Sequence, residues 1–384
     1  MVHILLAVIY LAFISLGLPD SLLGASWPMM YQPMGVSVSY AGIVSVIISC
    51  GTVLSSLMTD RVTRKFGTGM VTAASVFMTA LALLGFSFSN RFWMLCVFAI
   101  PYGLGAGSVD ASLNHYVAVN YASRHMSWLH CMWGVGASIG PYIMSLCLLM
   151  GASWPSGYQV IGTFQLILTL VLFLSLPLWR KSGTTESISQ SAPMPLWQVL
   201  KIPGAKALII AFFCYCGVES LAFLWTSSYF VLHYGLKDNS AAACAGLFYL
   251  GMTVGRAVNG FLTFRLSDRF LIRAGSAIIV LGVVLLLVSP GHALALIALV
   301  IVGLGCAPIY PCIIHSTPET FGIENSQAMI GVQMASAYLG NLLIPPIFGF
   351  VANHFSIALY PAGLLLLSVC MILSYQRMVV AQQV

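Results

Sequence analysis

The segment "ILLAVIYLAFISLGLPDSLLGASWPMM", from Ile4 to Met30, contains a single charged residue, Asp20. About 20 consecutive apolar residues are enough for a helix to cross the roughly 30 Å hydrocarbon core of a bilayer. The whole chain shares this character, because 60% of its 384 residues are hydrophobic and only 6% are charged. Soluble domains carry about 25% charged residues. The segment and the composition therefore predict an integral membrane protein.

Further apolar runs of similar length follow, separated by charged, glycine-rich or proline-rich breaks. Lipid admits only helices and closed barrels, and these runs lack the roughly ten-residue alternation of barrel strands, so they predict helices. The first run is too long for a cleavable signal and has no basic leader, and we expect it to remain as the first span. The twelve predicted spans are 4–30, 38–59, 68–88, 92–118, 127–150, 158–178, 206–233, 241–264, 271–289, 292–316, 326–351 and 355–376.

The basic residues predict the orientation of these spans, because loops on the cytoplasmic side are enriched in lysine and arginine. With both termini in the cytoplasm, the outer loops contain only Arg91 and Lys237. We therefore predict a multi-pass protein of the cell's inner (plasma) membrane with both termini cytoplasmic. The twelve basic residues on the cytoplasmic side are then Arg61, Arg64, Lys65, Arg124, Arg180, Lys181, Lys201, Lys206, Arg265, Arg269, Arg273 and Arg377.

A polar segment rich in serine, threonine and proline separates the sixth and seventh spans. It predicts a cytoplasmic linker at 180–205 between an N-terminal bundle, 1–179, and a C-terminal bundle, 206–384. The two halves also share residues at equivalent positions. A parallel repeat of this kind predicts an all-α membrane protein with two pseudo-symmetric six-helix bundles. A shift of 204 residues aligns Gly51, Arg61, Phe66, Gly136 and Pro141 with Gly255, Arg265, Phe270, Gly340 and Pro345, and a shift of 200 aligns Gly103–Gly105 with Gly303–Gly305.

Four charged residues lie well inside the predicted spans: Asp20, Asp110, Glu219 and Arg256. A carboxylate in the middle of a bilayer costs roughly 2.5 kcal/mol or more, so such groups are expected to face a cavity or a partner. Desolvation also disfavours the charged form of a carboxyl group, which would allow it to carry protons. The alternative is that each group is structural and hydrogen-bonded to a neighbouring helix.

The loop after the second span reads "SLMTDRVTRK", from Ser56 to Lys65. It resembles the signature of the major facilitator superfamily, with Ser56 and Thr63 at positions where the family usually has glycine. The resemblance implies a conformational latch between the two bundles, in which an acid pairs with cations and is released when the bundles rock. The predicted latch residues are Asp60, Arg61, Arg64 and Arg256. The alternative is a solvated, positively charged loop.

Five further motifs resemble the fucose permease branch of that superfamily, the sugar and proton symporters. They are "LPD" ending at Asp20, "DASLN" at Asp110–Asn114, "YCGVES" at Tyr215–Ser220, "VGR" at Val254–Arg256 and "IYPCIIH" at Ile309–His315. The resemblance implies that acids of the first and fourth spans serve substrate binding and proton coupling. Asp20 occupies the first of these positions, and Asp110 lies near the second, where fucose permeases carry glutamate.

Polar and aromatic side chains near these acids predict a site for a hydroxylated substrate, because sugars present both hydroxyl edges and C–H faces. For any one of them the alternative is interhelical packing. His130 and Trp133 replace amide side chains of fucose permease, which indicates a different substrate. The predicted substrate contacts are Asp20, Asn114, His130, Trp133, Glu219, Trp225, Asn259, Tyr310, His315 and Asn341.

We predict a major facilitator transporter that moves a sugar or similar small polar metabolite with protons, by alternating access. Asp110 is the predicted proton-coupling carboxylate, and Asp20 a substrate contact that also titrates. The predicted partners are the substrate, protons and the bilayer, without nucleic acid, for a monomeric protein. We expect no cofactor and no metal, because the ten cysteines show no paired spacing and no nucleotide-binding loop is present.

Three alternatives remain open at this stage. A proton-coupled exporter of drugs or metabolites would share the fold. An intramembrane enzyme would need a catalytic motif, and the sequence contains no HExxH and no soluble catalytic domain. A receptor with a transporter fold would bind a ligand without turnover.

Overall fold

The computed structural model describes residues 2–121, 123–179 and 196–382. All regular secondary structure in these ranges is helical. The α-helices are α1 (Val2–Asp20), α2 (Leu22–Met30), α3 (Ala41–Phe66), α4 (Thr68–Ser87), α5 (Phe92–Asn120), α6 (Ser123–Leu149), α7 (Pro155–Leu174), α8 (Leu196–Val199), α9 (Ala205–Tyr234), α10 (Asp238–Leu262), α11 (Asp268–Leu287), α12 (His292–Cys306), α13 (Ile309–Phe321), α14 (Ile323–His354) and α15 (Tyr360–Ala381).

These helices form twelve spans that are long and apolar enough to cross a membrane, so the predicted fold class is confirmed in the part of the chain that the structure describes. The first span consists of α1 and α2, and the tenth of α12 and α13. We call the side where α1 begins and α15 ends the terminal face, and the other side the opposite face. Most of the predicted linker, residues 180–195, lies outside the described residues.

The tenth span extends further than its predicted end at residue 316. It continues to Phe321 and stops where Gly322 has a φ of 84°. Glycine adopts this backbone conformation at little cost, which makes it a common helix terminator.

Glycine contacts recur between equivalent helices of the two bundles. Gly103 of α5 packs against the Ile48 carbonyl of α3, and Gly303 of α12 packs against the Phe248 carbonyl of α10. Absence of a Cβ allows such backbones to approach closely, which is the usual way that helices associate in membranes. The two bundles are therefore built on one packing plan. The same correspondence holds for Gly105 and Gly305, and for Gly136 and Gly340.

The two bundles meet closely at the opposite face. Gly24 of α2 packs on the backbone of α9 at Phe223 and Leu224, and a Cβ at Gly24 would overlap their carbonyl oxygens. The Ser227 hydroxyl of α9 donates to the carbonyl of Ala25 at 3.2 Å. Gly42 of α3 likewise packs against Pro346 of α14. These contacts close the space between the bundles toward the opposite face.

Two prolines in the N-terminal bundle leave helix carbonyls without their usual partner, because proline has no N–H to donate to the residue four positions earlier. Pro19 leaves the Ser15 carbonyl without a backbone donor, and the Gln165 side chain of α7 donates to that oxygen at 2.8 Å. Pro141 likewise leaves the Ala137 carbonyl without a backbone donor, and the Ser21 hydroxyl donates to that oxygen at 2.9 Å. Neighbouring helices thus supply the missing donors, as membrane interiors require.

Replacing Gln165 with leucine should lower the thermal unfolding midpoint of the purified protein. Gln165 is 1% exposed and also accepts a hydrogen bond from Thr79 at 2.9 Å. Its loss leaves the buried Ser15 carbonyl without this donor, and the Thr79 hydroxyl keeps only the Val76 carbonyl as acceptor. We expect a cost of about 1 to 3 kcal/mol. Gln198→Leu, at an exposed position of α8, serves as the control, and equal midpoints for the two variants would contradict this role.

Candidate functional site

A cavity of about 250 Å³ lies between the two bundles. Both bundles contribute to its wall, so the cavity changes shape when they move relative to each other. Its apolar part includes Phe86 and Phe223. The polar and polar-aromatic residues that line it are Asp20, Ser45, Ser49, Thr52, Tyr102, Trp133, Tyr158, Glu219, Ser220, Tyr249, Tyr338 and Asn341.

Asp20 lies in the cavity wall at the interruption between α1 and α2. The Tyr102 hydroxyl of α5 donates to Oδ1 at 2.8 Å, and the indole N–H of Trp133 donates to Oδ2 at 2.8 Å. Each carboxylate oxygen therefore has a donor, and lone pairs remain for a bound molecule. Tyr102 and Trp133 come from two different helices, so they also fix the orientation of the carboxylate.

Glu219 of α9 forms a second charged cluster in the C-terminal bundle. The Tyr215 hydroxyl, one turn earlier, donates to its Oε1 at 2.6 Å. Nη2 of Arg256, from α10, lies 3.5 Å from the same oxygen. Glu219 lines the cavity, whereas Arg256 is half-buried behind it. The described residues that line the cavity thus include two carboxylates and no cationic side chain.

Trp133 of α6 contacts both clusters. Its N–H donates to Asp20, and the guanidinium carbon of Arg256 lies 5.6 Å from the centre of its ring. Tyr249 of α10 packs edge-on against the same ring, with centroids 5.9 Å apart. One side chain therefore joins the acid of the N-terminal bundle to the ion pair of the C-terminal bundle.

Asp110 of α5 does not line the cavity. Asn114, one turn later, donates from Nδ2 to its carboxylate at 2.9 Å. Tyr310 and Tyr338 of the C-terminal bundle, and Asp20, lie within electrostatic range of it. Because α5 ends at the terminal face, Asp110 is closer to that face than Asp20 is.

Of the other predicted substrate contacts, Trp133, Glu219 and Asn341 line the cavity, as Asp20 does, and the remaining six do not. His130 packs edge-on against Phe13 of α1. Trp225 is fully buried and donates its N–H to the Pro345 carbonyl at 3.1 Å. These two side chains make contacts that are typical of helix packing. The six predicted contacts outside the cavity are Asn114, His130, Trp225, Asn259, Tyr310 and His315.

Asn259, Tyr310 and His315 also contact their own bundle. The Asn259 amide lies 3.8 Å from the Cys312 sulfur, and its buried Oδ1 has no partner among the described residues. The Tyr310 hydroxyl donates to the sulfur of Met334 at 3.2 Å. His315 is 83% exposed near the terminal face and lies 2.6 Å from Asp268.

The predicted latch is only partly described. The side chains of Asp60 and Arg64 lie outside the described residues, and Arg61 is exposed on α3. Arg256 pairs with Glu219 beside the cavity, several turns from that loop. The latch stays a prediction.

Sequence reasoning did not single out Tyr102, Tyr158, Tyr249 and Tyr338, which line the cavity. Tyrosine is common in membrane helices, and its hydroxyl usually finds a partner when buried. The available signal was that Tyr102 and Tyr249 lie deep in their spans rather than at the ends, where tyrosine is enriched.

Twelve helical spans among the described residues, in two related bundles with a cavity between them, define the class of secondary membrane transporters. The sequence matches the Major Facilitator Superfamily over residues 9–345, and again over 239–381. The chain therefore belongs to the Major Facilitator Superfamily, and the family predicted from the sequence motifs is confirmed. It is a membrane transporter rather than an enzyme.

Curated relatives and solved structures are similar over most of the chain. The glucose/mannose transporter GlcP of Bacillus subtilis is 22% identical over 91% of this chain and 88% of that protein. Bypass of stop codon protein 6 of Saccharomyces cerevisiae is 24% identical over 67% of this chain, which spans only 56% of that relative. The D-xylose-proton symporter structure superposes with a TM-score of 0.76 at 13% identity, covering 96% of each chain. The structure of the E. coli fucose:proton symporter superposes with a TM-score of 0.65 at 17% identity, covering 98% of each chain.

Proposed function

We propose that the protein is a secondary active transporter that carries a sugar or a similar small polar metabolite by proton symport with alternating access. The observation that carries this proposal is the placement of Asp20. It lies in a cavity shared by both bundles, with both oxygens oriented by donors from separate helices. The names of the matched sugar transporters support the same substrate class.

The cavity's size and lining support a small hydroxylated substrate. Its volume of about 250 Å³ is just below the range of ligand pockets for drug-sized molecules, about 300 to 1,000 Å³. Hydroxyl groups, an amide and carboxylates can bond to substrate hydroxyls, and the aromatic rings can pack on an apolar sugar face. These features favour a metabolite over a large apolar drug.

The proposed roles follow the positions of the acids. Asp20 is the substrate contact in the cavity, together with Trp133, Glu219 and Asn341. Asp110 carries the coupled proton, because it lies outside the cavity wall and toward the terminal face. The proposed substrate contacts are therefore fewer than those expected from the sequence.

The excess of basic residues on the terminal face supports cytoplasmic termini in a plasma or inner membrane. With this orientation, the closed opposite face is the outer one. The described conformation would then be the one in which the outer route to the cavity is shut.

Transport by reconstituted protein tests the proposal. Proteoliposomes with an inward proton gradient should accumulate radiolabelled D-glucose or D-xylose, and a protonophore should abolish accumulation. Uptake driven only by a sodium gradient would contradict proton coupling. Proton-driven efflux without uptake would favour the exporter.

Substrate charge should affect binding strongly. Asp20 and Glu219 line the cavity, and among the described residues only Glu219 is paired with a cation, Arg256. The net charge of these three groups is negative, so an anion is repelled. We expect D-glucose to raise the thermal unfolding midpoint of the purified protein and D-glucuronate, of similar size, to have no effect at the same concentration. D-glucosamine provides the opposite charge as a control. Greater stabilisation by glucuronate would contradict the proposed site chemistry.

A further inference from the structure

Trp133 is in contact with charged groups of both bundles at once. Its N–H donates to Asp20 at 2.8 Å, and its ring face lies 5.6 Å from the guanidinium carbon of Arg256. Asp20 belongs to the first span and Arg256 to the eighth. No direct hydrogen bond or ion pair joins these two charged residues in the part of the chain that the structure describes, whereas Trp133 contacts both of them.

The two contacts of the indole are physically linked. A hydrogen bond from the N–H to a carboxylate is charge-assisted and polarises the donor. The polarised ring carries more negative charge on its face, and a cation is attracted to that face by the ring quadrupole. The attraction of Arg256 to Trp133 is therefore greatest when Asp20 is charged, and falls when Asp20 becomes neutral.

Arg256 is shared between this ring and Glu219. Its distance of 3.5 Å from Glu219 exceeds that of a well-formed charged pair, about 2.7 to 2.9 Å. Glu219 is itself held by the Tyr215 hydroxyl at 2.6 Å. Arg256 is thus the most loosely held member of the cluster, and a weaker attraction to Trp133 moves it toward Glu219.

The helices that carry the contact are packed against each other across the bundle interface. Gly134, next to Trp133, packs against Thr253 of α10, and Gly246 of α10 packs against Tyr142 of α6. This packing holds the Trp133 ring opposite Arg256. A change in the contact between Trp133 and Arg256 therefore changes the interaction between the two bundles.

We propose that Trp133 is a coupling residue, which transmits the charge state of Asp20 in the N-terminal bundle to the Arg256–Glu219 pair in the C-terminal bundle. The coupling is reciprocal, because a change at Glu219 alters the strength of the hydrogen bond from Trp133 to Asp20 by the same free energy. This linkage goes beyond the proposed sugar transport and does not depend on which molecule is carried.

Other titratable groups face the same residues and must be kept constant in any test. Asp110, Tyr102 and Tyr249 act on Asp20 or lie within its electrostatic range. Measurements at alkaline pH keep histidine side chains uncharged, which removes His130 as a variable. The groups in electrostatic range of Arg256 are Glu219, His130, Cys131, Tyr215, Cys216, Tyr249 and Cys306.

A double-mutant cycle on thermal unfolding midpoints tests the proposal without a ligand. The midpoint shift caused by Glu219→Gln should be larger by about 2 °C or more in the Asp20→Asn background than in the native chain, because Arg256 then depends more on Glu219. Trp133→Phe keeps a ring face but removes the N–H donor. When this substitution is also present, Glu219→Gln should shift the midpoint equally with and without Asp20→Asn, so that the two substitutions are additive.

Trp225→Phe is the matched control. It removes an indole N–H that donates to the Pro345 carbonyl inside the C-terminal bundle, so it should lower stability and leave the cycle non-additive. If Trp133→Phe does not fold, Arg256→Gln provides the same test from the other side, since it removes the cation that is attracted to the ring face. Additive shifts in the native chain, or non-additive shifts that persist in Trp133→Phe, would overturn the proposal. Neither result depends on transport, so the proposed function is judged separately.

Discussion

Asp110→Asn should abolish proton-driven accumulation of the substrate while counterflow exchange remains measurable. Asparagine cannot take up and release a proton, but it can still accept a hydrogen bond from Asn114, which now holds the carboxylate at 2.9 Å. Local structure in α5 should therefore be kept. The measurement compares gradient-driven uptake with exchange in proteoliposomes, where the variant should reach only the outside concentration.

Asp238→Asn is the control for this substitution. Asp238 is an exposed acid in the first turn of α10, at the opposite face and outside the cavity. The Asp238→Asn variant should accumulate substrate normally. Normal proton coupling in Asp110→Asn would exclude this carboxylate as the coupling group.

The second large effect is expected at Asp20, where replacement by asparagine should weaken substrate affinity about 10- to 150-fold. This factor corresponds to about 1.5 to 3 kcal/mol, the usual contribution of a hydrogen bond to a charged group. Tyr102 and Trp133 each donate to one carboxylate oxygen, and an amide offers only one oxygen. One donor then faces an NH₂ group, and the substrate loses a charged acceptor.

Calorimetric titration with the transported sugar would measure this loss. Asp268→Asn makes the same chemical change near the terminal face, where Asp268 pairs with His315 away from the cavity, and should keep native affinity. An unchanged affinity in Asp20→Asn would remove this residue from the site.

The spans are predictable from sequence because their length and lack of charge are dictated by the bilayer. The breaks within spans are less so, and the interruption after Asp20 depends on tertiary contacts as well as on Pro19. Gln165, for example, satisfies the carbonyl that Pro19 leaves free, yet nothing in its neighbourhood marks it. Such donors come from other helices, which the local sequence does not specify.

A rare charge marked Asp20 and Glu219, which line the cavity, but it marked Asp110 and Arg256 equally, and these two do not line it. Rotation of the helices was not predictable, because spans that are apolar on all sides give no sign of which side faces the cavity. Trp225 illustrates this point. It follows Glu219 by six positions, about 240° around a helix, and so points into the bundle while Glu219 lines the cavity.

The closure of the opposite face has a consequence for how the protein tolerates its surroundings. In the described structure, its contacts at Gly24, Gly42 and Ser227 join uncharged backbones and a hydroxyl. Dissolved ions screen charges and have little effect on such contacts. With the orientation proposed above, the side that meets the changing salt of the environment is closed by these uncharged contacts. The contact of Asp268 with His315 then lies on the side where the cell controls ion concentrations.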